Sequence, residues 1–488
     1  MKHLVWIIIV GVAAGTAVAK QSHSASAPSA REWTVMFYLN GVDDLEKSAE
    51  CALIQMLSVR PTEEVTLTIQ LAMTGADAPP LGRVGQRDIP CPLEKALSRV
   101  PYWKGTRRAA VVNGKTRVRA VDGIFLGSNL DMRNPANLAA FVRWSVSNYP
   151  ARHNILIIKD HGAGKPYLLF AKSARLNSSI NSALIDITPE LKAKLAQKSK
   201  EPRLDVHKPV ILEPDSNLLL NSQIRNALKS ALGRRRLDII GFDSCYKAML
   251  ETGYAMRDVA RTLVASEAIQ FDYAWDNLPW LTELARHPKV NRLTIARKML
   301  VSFQKRQAEF ERQHSNEDID PATLAAVDLD GLDAILSPLD LFSDILATDR
   351  FPAKMATNAR NACQPLEDES FDIDLNCFVT HIIDQAGGEG SETQEEIDQL
   401  SKNINDTIKT IVPDPIINYK ARKLGASGLA IYFPACQEDD LLHDPNHASY
   451  DPLDSKAIPF SKQHSWAAFI QRYLKDPNIK CPPPPGVP

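Results

Sequence analysis

The chain has 488 residues, 44% of them hydrophobic and 24% charged, and carries a formal net charge of −1. This is the composition of an ordinary soluble globular protein, long enough for roughly two to three domains. A balance so close to neutral gives no general pull toward nucleic acid or an anionic membrane surface.

Met1-Lys2-His3 makes a short positive start, and Leu4 to Ala19 is apolar or small throughout. Ala17-Val18-Ala19 fits the small-x-small pattern that signal peptidase cuts, and the run is short for a span of ~20 residues. Residues 1–19 therefore read as a signal peptide rather than an anchor, and residues 20–30 as a disordered leader. The expectation is an exported protein, periplasmic or secreted, with no stable membrane span once the signal is removed.

Trp33–Leu39 is a strand candidate closed by the turn-like Asn40-Gly41, and Leu45–Leu57 reads as a helix. Val65–Leu71, dominated by β-branched residues, is a second strand. Residues 80–125 hold short Gly-, Arg- and Pro-rich pieces without a readable pattern. Asn134-Pro135 signals a helix start, a capping side chain followed by proline at the first helical position. Leu138, Phe141, Val142, Val146 and Tyr149 then recur at helical spacing until Pro150.

The third strand, Asn154–Ile158, delivers the chain to KDHGAGK at residues 159–165. A fourth, Leu237–Phe242, leads to Asp243-Ser244-Cys245, and a fifth, Thr262–Ala265, to Ser266-Glu267. Helical patterns dominate from about residue 285 to 420, Gly428–Phe433 is a late apolar strand, and residues 471–488 form a Pro-rich tail. Nearly continuous apolar strands alternating with helices predict an α/β fold, a mostly parallel sheet flanked by helices. The expected division is a core at 31–285 and a helix-rich C-terminal part at 286–470 that contributes the late strand at 428–434. Ligands in such sheets bind beyond the carboxyl ends of the strands.

Three chemistries compete for KDHGAGK. A phosphate loop needs glycine where Lys159 stands and a hydroxyl residue where Pro166 stands, so that reading fails. A zinc site fails because His161 has no second histidine at ligand spacing, and His153 lies at the far end of the same strand. Nucleophilic catalysis needs a thiolate, an imidazole to take and return its proton, and backbone donors for the oxyanion. His161 and Cys245 each follow a buried strand directly, and Gly162 lets the backbone approach a substrate carbonyl. A core histidine and a core cysteine that never meet is the competing reading, and on the pattern alone it stays open. The seven cysteines form no CxxC pair or zinc-spaced cluster, so no structural metal is expected. In an exported chain some would pair as disulfides, and the odd count leaves at least one thiol outside them.

The chain resembles the clostripain family of cysteine peptidases, in the caspase, gingipain and legumain clan, over most of residues 31–435. Trp33–Leu39 with Asp43-Asp44-Leu45-Glu46 looks like the family's opening strand and acidic turn, and Asp131-Met132-Arg133-Asn134-Pro135 like the approach to its histidine. Asp160-His161-Gly162-Ala163-Gly164 and Gly241-Phe242-Asp243-Ser244-Cys245 resemble its two catalytic motifs, and Val264-Ala265-Ser266-Glu267 the strand after them. Ala325–Leu329 and Gly428–Pro434 are similar to later landmarks.

The resemblance implies a caspase-haemoglobinase-like fold with His161 as general base and acid and Cys245 as nucleophile. Gly162 and Cys245 would supply the oxyanion donors. It also implies protein or peptide substrates with a basic P1 residue, held by Asp243 and by Asp272, with Asp276 second to Asp272. A structural carboxylate is the competing reading of Asp243. Ser244 replaces the usual alanine and Lys165 a common aromatic. His161 and Cys245 are 84 positions apart, and the extra length falls around residues 168–215. That segment contains Lys192, Lys194, Lys198, Lys200, Arg203 and Lys208, so it reads either as a self-processing loop or as a solvated surface loop.

No cofactor is needed for this chemistry, and calcium cannot be read from Asp43, Asp44 and Glu46. A monomer is expected. A catalytically inactive binding or scaffold protein on the same fold is the alternative. A hydrolase using Ser244 is disfavoured, because no Gly-x-Ser-x-Gly elbow surrounds it.

Overall fold

The computed structural model describes residues 31–42, 45–60, 62–73, 91, 104–111, 124–128, 130–165, 167–169, 218–270, 274–315, 319–348, 351–363, 372–385, 392–436 and 458–479. The signal peptide, the leader, most of the basic segment around 168–215, Asp43, Asp44, Asp272 and residues 480–488 lie outside these residues. The Pro-rich tail expected from residue 471 begins later, because the helix Trp466–Lys475 runs through its first residues.

The first part runs β1 (Arg31–Gly41), α1 (Glu46–Ser58), β2 (Val65–Met73), β3 (Gly105–Val111), β4 (Ile124–Gly127), α2 (Pro135–Asn148) and β5 (Ala151–Lys159). Three short strands follow, β6 (His161–Lys165), β7 (Tyr167–Leu169) and β8 (Leu218–Leu220), then α3 (Asn221–Leu232), β9 (Ile239–Asp243), α4 (Leu250–Met256) and β10 (Thr262–Ala265). Next come α5 (Asn277–Arg286), α6 (Arg292–Gln313), β11 (Thr323–Asp328), α7 (Asp333–Leu346), α8 (Ala353–Ala362), β12 (Asp372–Asp374) and α9 (Leu375–Gln385). The chain closes with α10 (Glu392–Ile411), β13 (Ile416–Ile417), α11 (Tyr419–Lys423), β14 (Ala430–Tyr432), α12 (Pro459–Gln463) and α13 (Trp466–Lys475).

Nine strands form one sheet in the order β13-β11-β10-β9-β5-β1-β2-β3-β4. The centre, β10-β9-β5-β1-β2, is parallel, and the strands on both flanks pair antiparallel. This is the expected α/β class, a mostly parallel sheet flanked by helices with a helix-rich C-terminal part.

The apolar strand runs are continuous because both faces are covered. Ile155 and Ile157 of β5 join Leu53 of α1, Trp280 of α5 and Phe303 of α6 on one face. Leu156 and Ile158 join Phe141 of α2 and Leu228 of α3 on the other. The α2 start is built as its sequence indicates: Pro135 opens the helix and Asn134 Oδ1 accepts from Ala136 N at 2.9 Å. The late apolar strand is shorter than its sequence run. It pairs with β12 in a two-stranded sheet of its own. Behind it, Phe433 packs edge-on against Phe378, Trp466, Phe469 and Tyr473.

Cys51 bonds Cys91 and Cys363 bonds Cys377, and Cys436 is disulfide-bonded as well. Cys245 keeps its thiol. Among the described residues no helix is long and apolar enough to cross a membrane.

Candidate active site

The register of two central strands builds the site. β5 and β9 are parallel neighbours, and their last residues, Lys159 and Asp243, are register partners. His161 stands two residues beyond Lys159, and Cys245 two residues beyond Asp243. Two segments far apart in sequence therefore leave the same edge of the sheet at the same level, on adjacent strands. A hydrogen bond from Asp160 N to Asp243 O, at 3.4 Å, ties them just past the strand ends. His161 itself opens β6, which pairs with β7 in a separate three-stranded sheet, His161 opposite Leu169 and Gly162 opposite Leu168.

After Asp243 the backbone turns sharply. Tyr246 has φ 52°, the left-handed region that a bulky residue enters only when its surroundings hold it there. Four hydrogen bonds do so. Tyr246 N donates to Ala268 O at 3.2 Å, Lys247 N and Ala248 N both donate to Ser266 O at 2.7 Å, and Ala430 N donates to Ala248 O at 2.8 Å. The turn leaves Cys245 half-buried at the carboxyl edge of the sheet. Its Sγ accepts from Gln270 N at 3.2 Å, and its own S–H faces Gln270 O at 3.7 Å. Ser244, by contrast, is buried, and its hydroxyl has no partner among the described residues, so no base activates it there.

Asp243 is not an open carboxylate. Its Oδ2 accepts from Lys159 Nζ at 3.0 Å, with the two side chains only 7% and 6% exposed. Alternation along the strands explains the meeting. Ile155 and Ile157 point to the face of α1 and α5, so Lys159 does too, and Ile239 places Asp243 on that same side. Asp276, the second choice for a pocket acid, has a structural role, capping α5 by accepting from Leu278 N at 3.2 Å. Burial raises its carboxyl above the ordinary range.

A larger buried polar cluster backs the nucleophile turn. Glu267 Oε1 accepts from Gly428 N at 2.6 Å, and Asp374 accepts from Cys377 N, Ser427 N and Ser427 Oγ at 2.6–2.8 Å. Burial is the main reason that both carboxyls are raised, Glu267 strongly so. Each carboxyl's charge also bears on the other, so two negative charges are disfavoured in this cluster. Lys247, two residues past Cys245, is fully buried, and desolvation pulls its ammonium down to about 7 against the opposing attraction of Asp372.

At the other end of β5, His153 stacks on Trp33 and its Nδ1 lies 3.0 Å from Asp238, a structural role away from the site. Cys363, Cys377 and His381 converge within 4.8 Å, but the two sulfurs are bonded to each other, and a disulfide offers no thiolate to a metal. Sequence reasoning missed the Lys159 partner of Asp243, the left-handed Tyr246 and the Gln270 contact. Only the first left a sequence signal, the equal offset of Lys159 and Asp243 before their motifs.

A parallel sheet that brings a histidine segment and a cysteine turn to neighbouring carboxyl ends is the layout of a caspase-haemoglobinase-like cysteine peptidase. The Clostripain family model, peptidase C11, matches residues 213–473, more than half of the chain and including Cys245. The chain belongs to the Clostripain family and is a cysteine-type endopeptidase acting on peptide substrates. His161 precedes the matched residues.

Among solved structures, an inactive zymogen C11 protease from Parabacteroides distasonis is 13% identical, with a TM-score of 0.49 over 84% of this chain and 93% of its own. A secreted C11 cysteine protease from Bacteroides thetaiotaomicron, in complex with an irreversible peptide inhibitor, is 11% identical, with a TM-score of 0.49 over 90% of this chain and 99% of its own. The structure of iotapain, a secreted C11 cysteine protease from the same species, is 13% identical, with a TM-score of 0.48 over 83% and 94%. Likeness this distant says nothing about which residues act here. No curated protein matches the chain in sequence.

Proposed function

We propose that this chain is an exported cysteine endopeptidase in which Cys245 attacks the scissile carbonyl and His161 serves first as base and then as acid. The observation that carries this reading is the register of β5 and β9, which puts both segments at one level on adjacent strands. The backbone N–H groups of Gly162 and Cys245 are the oxyanion donors, and no cofactor takes part.

The preferred P1 residue is Arg or Lys, with Asp243 and Asp272 as the pocket acids. Export fits the disulfides, which persist in oxidising compartments, and the N-terminal signal-peptide pattern. Self-processing falls in the basic segment at 168–215. Its flanks support this: β7 and β8 pair antiparallel, Tyr167 opposite Leu220 and Leu169 opposite Leu218, so a cut between them leaves both new ends held by one sheet.

The test is hydrolysis of reporter peptides carrying Arg, Lys or Asp at P1 by the purified mature protein. Cleavage after Arg or Lys that disappears in Cys245→Ala supports the reading. Undiminished cleavage in that variant removes Cys245 as the nucleophile.

A further inference from the structure

Lys159 and Asp243 occupy matching places, each the last residue of its strand and each two residues before a proposed catalytic residue. Their ion pair is 3.0 Å long. Gly241, one step back on the same face of β9, lies under the ring of Trp275. A Cβ there would stand 2.6 Å from Ile157 Cδ1 and 3.1 Å from the ring. Trp275 Nε1 donates to Gln270 Oε1 at 3.0 Å, and the N–H of Gln270 donates to Cys245 Sγ. The ion pair and the Trp275 ring thus share the α5 face of the sheet, and the ring connects through Gln270 to the thiol.

A substrate cation recognised by Asp243 must find a carboxylate with charge to offer. Here a cation of the chain's own already takes Oδ2, and both partners are more than nine-tenths buried, where solvent screens the pair little. Bringing a second cation beside a neutralised pair gains much less than bringing it to a bare carboxylate.

We propose that Lys159 is the specificity-determining residue of this pocket: its ammonium competes with a basic P1 side chain for Asp243. The pocket therefore prefers a cationic P1 side chain over a long neutral polar one by only a narrow margin. The inference rests on the reading of Asp243 as a pocket acid and adds an internal competitor to it.

The experiment compares two reporter peptides that differ only at P1, arginine in one and its neutral isostere citrulline in the other. For the native protein the Arg-to-citrulline ratio of kcat/KM is expected to be about tenfold or less, far below what a bare buried carboxylate gives. Lys159→Met raises that ratio by about tenfold or more, and adding Asp243→Asn brings it back down, a coupling that only a shared charge produces. Lys159→Gln, which keeps a polar neighbour for Asp243, repeats the test if the methionine variant does not fold. A native ratio on the order of several hundredfold overturns the proposal without any variant. So does a ratio that is unchanged or lower in the Lys159 variants, which would make Lys159 an anchor for the acid. If neither peptide is cleaved in a Cys245-dependent way, it is the peptidase reading that fails, and this inference falls with it.

Discussion

The two strand ends that make the site are matched in sequence and opposite in construction. Past Asp243 the chain enters a turn pinned by backbone hydrogen bonds to the end of β10 and to β14, over the fully buried Glu267, Asp374 and Lys247. Past Lys159 the chain runs into β6 and β7 of a small separate sheet whose third strand, β8, begins only at Leu218. The nucleophile's direction is set by buried polar groups that cannot relax without leaving an unsatisfied atom. The histidine's approach is set by the pairing of β6 with β7 and by the hydrogen bond from Asp160 N to Asp243 O. The Lys159–Asp243 pair is a side-chain link between the two ends.

This contrast can be broken first at its tightest point. Gly241→Val puts methyl groups where Ile157 and Trp275 already stand, so about 3 kcal/mol of stability is expected to be lost in urea unfolding, with peptidase activity falling as Trp275 shifts. An ordinary melt at native stability would show that the Gly241 site has room, and that Trp275 does not brace this end.

The next effects are pH-dependent and run in opposite directions. Glu267 keeps a proton in the folded state that the unfolded chain releases above about 4.5, so its contribution is greatest in acid and is lost as pH rises. The difference in melting temperature between the native protein and Glu267→Gln is therefore expected to shift against the native protein as pH climbs above that value. Lys247 shows the reverse. The unfolded chain holds its proton up to about 10.5 and the folded chain only to about 7, so stability rises across that window. Lys247→Met should abolish that rise and be the more stable form below pH 7, where the native protein must bury a cation. Parallel pH curves for native and variant proteins would mean that these groups do not titrate as a buried cluster.

The smallest effect lies on the β5 side. Asn134→Ala removes the α2 cap and should cost about 1 kcal/mol in thermal or urea unfolding, with little change in activity. A larger loss of activity than of stability would show that the histidine side is held more tightly than strand pairing implies.

Much of this architecture was legible in the sequence, for a physical reason. β1, β2, β5, β9 and β10 are buried on both faces, so they announce themselves as unbroken apolar runs, and the motifs after them mark the functional edge. Strands on the flanks of the sheet gave no such signal. β3 carries Arg107 and Arg108 on a flank of the sheet, and β11 is a six-residue strand inside a helical stretch. The adjacency of β5 and β9 fixes the partner of Asp243, and no local pattern encodes which strands become neighbours. Tyr246 was hidden because a left-handed turn usually shows itself through glycine, and here surrounding hydrogen bonds impose it instead.

The central claim is that these two ends cooperate, Cys245 as nucleophile with His161 as its base. The most direct test is to label the mature protein with an arginyl acyloxymethyl ketone and map the adduct by mass spectrometry, in the native protein and in His161→Ala at fixed pH. The account predicts a single adduct on Cys245 that forms about a thousandfold more slowly without the imidazole. An adduct on another residue, or labelling of Cys245 at an unchanged rate in His161→Ala, would contradict it.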